Sequence, residues 1–133
     1  HDIGKLESYR WEGVFEVTVA GSVAGHVVLG AMMLDRRYHQ APQPPCTPGE
    51  LLELHHLILS HHGKLEFGAP VTPMTLEAEI LHYADNASAK AASMDDALRD
   101  PENFPEGGAV SSRPIWQIDR RRAWRGGSDW GRP

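Results

Sequence analysis

The stretch from Thr47 to Gly63 constrains this chain more than any other. Thr47-Pro48-Gly49-Glu50 supplies a cap residue, a proline for the first helical position and a glutamate at the third. These are the parts of a capping box, in which cap and glutamate satisfy each other's free N–H groups. Leu51, Leu52, Leu54, Leu57, Ile58 and Leu59 then give a wide apolar surface. The run closes on Ser60-His61-His62-Gly63, where Gly63 tolerates the left-handed backbone that stops a helix. The spacing therefore predicts a helix that ends on two adjacent imidazoles.

Two further segments read as helices. Over residues 22–39, Ser22 is a candidate N-cap, and Val23, Val27, Gly30/Ala31 and Leu34 recur at helical steps. Gly25 and Gly30 cost helix propensity and are read as marks of close packing. Over residues 75–98, Glu77 and Glu79 suit a helix N-terminus, and Leu76, Ile80, Tyr83/Ala84, Ala87 and Ala91 mark the expected buried side, with Asp85 near it. Residues 1–10 resemble the end of a helix begun upstream, with His1 and Lys5 on one face and Asp2 beside them. Residues 11–21 read as a loop or short irregular extended piece, 40–46 as a proline-rich connector and 64–74 as a loop. Residues 100–114 form a Pro/Gly/Ser linker. Ile115–Arg125 is expected to dock as an extended segment, and the final GGSDWGRP to be mobile. The expectation is an all-α bundle over residues 1–99, truncated at its N-terminal side, followed by a linker and a basic, aromatic tail over 100–133.

Composition narrows the classes. A chain of 133 residues, 41% of them hydrophobic, suits one domain with a real core. The single cysteine, Cys46, excludes an internal disulfide framework and suits a reducing cytoplasm. No apolar run approaches the ~20 residues of a membrane span. The chain opens on His1 without a methionine, so a fragment lacking upstream sequence is expected. Its net charge of −5 divides into −9 over residues 1–112 and +4 over residues 113–133. The acidic body argues against broad, unassisted nucleic-acid binding, although bound divalent cations would offset part of that charge.

The chemistry lies in a constellation. A His-Asp pair (His1, Asp2), a helical His26, the pair His61-His62 and a mid-helix Asp85 offer imidazoles and carboxylates, which are good ligands for first-row divalent metals. Two such ions ~3.5–4 Å apart can activate water and clamp a phosphoryl group. Asp2 is the candidate bridge. His1 and Asp85 would hold one ion, and His26 with one or both of His61 and His62 the other. Lys5, one turn after His1, can neutralise phosphate charge. His55, His56 and His82 are read as core or surface histidines, and His39 as solvated.

In this order these residues resemble the HD-domain metal-dependent phosphohydrolases. The stretches HDIGKLESY, VAGSVAGHVVLGAMML, LHHLILSHHGKLEFGAPVTPMTLEAEILHYADNASAK and IWQIDRRRAW resemble, more narrowly, the YhaM-type 3′-5′ exoribonucleases. The resemblance implies an all-α HD fold and a dinuclear centre, with manganese first and cobalt, iron, zinc or magnesium as alternatives. It implies 3′-5′ exonuclease action on single-stranded RNA or DNA, a preceding OB-type domain and one further metal-binding histidine upstream of His1. Matched residue by residue, it gives His1, Asp2, His26, His61, His62 and Asp85 to the metals and Asp2 and Lys5 to catalysis. Phe67, Arg120 and Arg121 are candidate substrate contacts. Trp116 and Trp124 beside Arg120–Arg122 resemble a basic-aromatic nucleic-acid patch, but a tail that docks its aromatics and solvates its arginines is the favoured expectation. A homo-oligomer is a further expectation. The rival readings are an HD phosphohydrolase acting on nucleotides or cyclic nucleotides, and an inactive scaffold or dimerisation fragment.

Overall fold

The computed structural model describes residues 1–127; residues 128–133, most of the expected mobile end, lie outside the described residues. The chain runs α1 (Lys5–Ser8), β1 (Tyr9–Trp11), β2 (Phe15–Val17), α2 (Val19–Gln40), α3 (Pro48–Ser60) and α4 (Leu76–Arg99), with short 3-10 turns at Leu65–Phe67, Pro101–Asn103 and Trp116–Ile118. It is mostly helical, as the sequence predicts. It divides into two compact units, His1–Asp85 and Asn86–Pro133.

In the first unit α1 packs on α2, and α2 on α3. Gly4 permits the first contact: a Cβ there would lie 1.9 Å from the His26 carbonyl oxygen and 2.5 Å from the Gly30 nitrogen. The backbone of the His1–Lys5 segment therefore crosses α2 directly at His26. This segment is not the helix end that the sequence suggests. His1 and Asp2 precede α1, and the turn is closed mainly by bonds three residues back, from Lys5 to Asp2, Leu6 to Ile3 and Glu7 to Gly4. Tyr9 and Arg10, expected at the helix end, join residues of the stretch read as a loop or short irregular extended piece to form a hairpin, with Tyr9 opposite Val17 and Trp11 opposite Phe15.

The start of α2 also differs. Thr18, not Ser22, is the N-cap, accepting from the Gly21 N–H at 2.9 Å. Gly25 does not mark close packing, since a Cβ there would meet nothing within 4 Å. It breaks the helix at φ 72°, ψ 155°, a conformation open almost only to glycine. His26 thus opens the second helical segment. By contrast α3 follows the sequence closely: Thr47 and Glu50 form the reciprocal capping box, with Pro48 in the first turn.

Thr75 caps α4 by accepting from the Ala78 N–H at 3.1 Å. The apolar stripe expected to be buried is exposed: Leu76, Ile80, Tyr83, Ala84, Ala87 and Ala91 all face outward. The covered face in this unit is Ala78, Leu81, His82 and Asp85, one position round the helix. That rotation brings the two polar residues inward.

The second unit has its own core of Ala97, Phe104, Ile115, Ile118 and Ala123, with Met94 and Leu98 packed against it. Isolated bridges join Val110 to Trp124 and Ile115 to Arg121. The tail docks through its aliphatic side chains. Its tryptophans are not docked, as Trp116 is 71% and Trp124 68% exposed. Ile115, Ile118 and Ala123 occupy the core of the unit instead.

Candidate metal centre

Four stretches of the first unit converge. The segment before α1 supplies His1 and Asp2, the second part of α2 supplies His26, the end of α3 supplies His61 and His62, and α4 supplies Asp85. Asp2 sits at the middle. Its Oδ1 is 3.3 Å from His26 Nε2 and 3.7 Å from His61 Nε2; its Oδ2 is 3.4 Å from His1 Nε2. His1 Nε2 is also 3.3 Å from Asp85 Oδ1. The two carboxylate oxygens of Asp2 thus face two different groups of side chains.

Two sets of ligand atoms, His26/His61/His62 and His1/His61/Asp85, each lie within 4.8 Å of one another. The sequence reading sets one or both of His61 and His62 with His26; the folded chain puts His61 within reach of both groups. Asp2 Oδ1, His26 Nε2 and His61 Nε2 are buried and have no hydrogen-bond partner among the described residues. Buried polar atoms are normally paired, because stranding one costs ~1–3 kcal/mol. Three of them aimed at one point, all of them oxygen or imidazole nitrogen, fit the donor set of a divalent first-row cation.

Protonation agrees with that fit. Burial holds His26 below the ordinary imidazole range, and His62 and Lys5 reinforce it against the opposing charge of Asp2. Burial does the same to His61, with His62 and His26 adding to it against a hydrogen bond to the Ile58 carbonyl. Burial resists ionisation of Asp2, but the Lys5 hydrogen bond and the charges of Lys5, His26 and His61 hold its carboxyl below its usual value. The His26 and His61 imidazoles are thus biased to the neutral form and the Asp2 carboxylate to the charged form, the forms that bind metal.

Backbone contacts fix the rings. His61 is fully buried, and its Nδ1 is bonded to the Ile58 carbonyl at 2.6 Å, which leaves Nε2 for Asp2 and its neighbours. His62 Nδ1 is bonded to the Phe67 carbonyl at 2.9 Å. Phe67 therefore touches the centre through its backbone, while its exposed ring lies under Lys64. Lys5 Nζ donates to Asp2 Oδ2 at 2.6 Å, placing a positive charge beside the bridge. Arg120 and Arg121 belong to the second unit, where Arg120 stacks on Trp116 at 4.8 Å.

His82, read from sequence as an ordinary core or surface histidine, has a defined place. Its Nδ1 is 2.9 Å from the His61 carbonyl oxygen. Its ring fills the space beside Gly63 that a Cβ would enter at 2.3 Å. It holds the turn that carries both histidines of the pair. No spacing rule in the sequence marks a histidine that acts through a neighbour's carbonyl.

A family model described as the HD domain matches residues 1–90. The chain is 44% identical over 98 residues to the 3′-5′ exoribonuclease YhaM of Bacillus subtilis (strain 168) and, at the same level, to that of Bacillus velezensis. It is 43% identical over 98 residues to the Bacillus pumilus protein of the same name. These alignments take in 74% of this chain and 30% of each relative, so the chain spans under a third of their length. No solved structure matches it.

Proposed function

Since this chain belongs to the HD domain family, we propose that its His/Asp centre binds two divalent cations, manganese foremost, and hydrolyses phosphodiester bonds at the 3′ end of single-stranded RNA. The observation that carries this reading is the convergence of Asp2 Oδ1, His26 Nε2 and His61 Nε2, buried and unpartnered, between two ligand groups. The choice of substrate rests on the 44% identity to proteins named 3′-5′ exoribonucleases.

The residues divide the work. His26, His61 and His62 would hold one cation and His1 and Asp85 the other, with Asp2 lying between the two groups. Bound cations supply Lewis acidity and an activated water for in-line attack on phosphorus. His61, within reach of both ligand sets, could serve either site. The Lys5 ammonium beside Asp2 offsets charge that develops on the phosphoryl oxygens. Phe67, whose carbonyl meets His62 of the centre, is assigned to contact with the RNA. We place the HD domain at residues 1–99, with 100–133 as a linker and a basic, aromatic tail, and take the reducing cytoplasm as the fitting compartment for Cys46 as a free thiol.

The test is release of nucleoside monophosphates from single-stranded RNA with Mn²⁺, for the wild-type chain and for Asp2→Asn. The reading expects the substitution to abolish release while the fold is retained. An unchanged rate would refute it.

A further inference from the structure

The hairpin after α1 spends its side chains in an unusual way. All six residues of β1 and β2 are exposed. Two short strands are marginal by themselves in water, yet this pair presents Trp11 at 64% and Phe15 at 77% exposure. Their rings stand directly across the ladder, with centroids 4.8 Å apart at 60°. Lys5, Leu6, Tyr9, Arg10, Trp11 and Phe15 line a groove of about 620 Å³, within the range of small-ligand sites. Arg10 is anchored across the hairpin, its Nε donating to Glu16 at 2.9 Å. The groove's other positive charge is Lys5, the same residue that donates to Asp2 Oδ2. Groove and metal centre share a side chain.

We infer that this groove is a nucleotide subsite, in which a base of the single-stranded substrate stacks on Trp11 and Phe15 while its phosphate lies toward Lys5. The inference rests on the reading of the centre as a phosphodiesterase. Aromatic faces accept any base, because every base has a π-face, so such a platform holds a strand without reading its sequence. An acidic body can still grip RNA in this way. A lysine common to groove and centre favours an anionic strand over an apolar protein segment. Substrate binding before and during reaction would then be shared between stacking here and charge at Lys5.

The experiment compares the wild-type chain with a Trp11→Ala/Phe15→Ala double variant, and with Trp11→Phe/Phe15→Tyr, which keeps both rings. Steady-state hydrolysis of an oligoadenylate with Mn²⁺ is read beside anisotropy binding of the same labelled strand in EDTA. Loss of stacking on one base should raise KM and the metal-free Kd by roughly five- to a hundredfold, with kcat and Mn²⁺ affinity unchanged, as expected for uniform binding. The ring-keeping variant should stay near wild type. Unchanged KM and Kd in the alanine variant would overturn the subsite and leave the nuclease reading standing. The same result with a shift in sedimentation would mark the face as a self-association surface, which also overturns it. Wild-type binding that weakens in the alanine variant, without hydrolysis in either, would support the subsite and refute the nuclease reading. Absence of both binding and hydrolysis in the wild type would refute both.

Discussion

In the first unit the largest fully buried side chains are His61 and Ser60; in the second they are Ile118 and Ser111. The difference lies in how the polar atoms fare. Ser111 Oγ donates to the Arg113 carbonyl at 3.0 Å and accepts from the Ala123 N–H at 3.1 Å, so the second unit leaves its buried hydroxyl satisfied. In the first unit Ser60 is likewise satisfied by the His56 carbonyl at 2.6 Å, but His61 Nε2, His26 Nε2 and Asp2 Oδ1 are not. One unit is packed for stability. The other carries a cost at one point, and in natural proteins such exceptions mark sites.

Substitutions on either side of this contrast should separate. Ile118→Ala removes a fully buried side chain from the second core and should cost about 2–5 kcal/mol of stability. Chemical denaturation measures this. Mn²⁺ affinity should stay the same, and a large loss of affinity would break the contrast.

A smaller effect sharpens it from the other side. His82→Ala removes the ring bonded to the His61 carbonyl and should weaken Mn²⁺ binding by about 10–100-fold, as loss of a ligand's supporting partner typically does. His82→Asn, which can keep the donor, should recover much of it. Equal affinity in both variants would show that His82 only fills space. Calorimetric titration of each variant distinguishes the two outcomes.

Much of the centre was legible in the sequence because its residue types are chemically rare together. A His-Asp pair, a lone helical histidine and a His-His-Gly helix end limit the options even before folding. The α3 segment was legible for a local reason: Thr47, Pro48 and Glu50 form a box whose partners lie within one turn. What could not be read depended on contacts distant in sequence. The apolar stripe Leu76–Ile80–Tyr83 fits helical periodicity, yet α4 turns Asp85 and His82 inward and leaves the stripe outside. Gly25 resembles a packing glycine until its φ of 72° shows a break. Trp11 and Phe15 sit in a stretch whose alternation is weak, because neither face of the hairpin is covered. The tail tryptophans suggested docking, but smaller aliphatic neighbours took the core.

The central claim is that the three stranded atoms belong to a metal site, and titration of Mn²⁺ into the purified chain at about pH 7.5, then at lower pH, tests it most directly. Protons compete with metal for imidazole, and both His26 and His61 are held below the ordinary value of about 6.5. Asp2, held below its own usual range, stays ionised throughout. Two ions per chain should bind, stay bound at about pH 6.5 and be released only as the pH falls through the lowered values of His26 and His61. A chain that binds no Mn²⁺ at pH 7.5, or binds it equally well after Asp2→Asn, would contradict it.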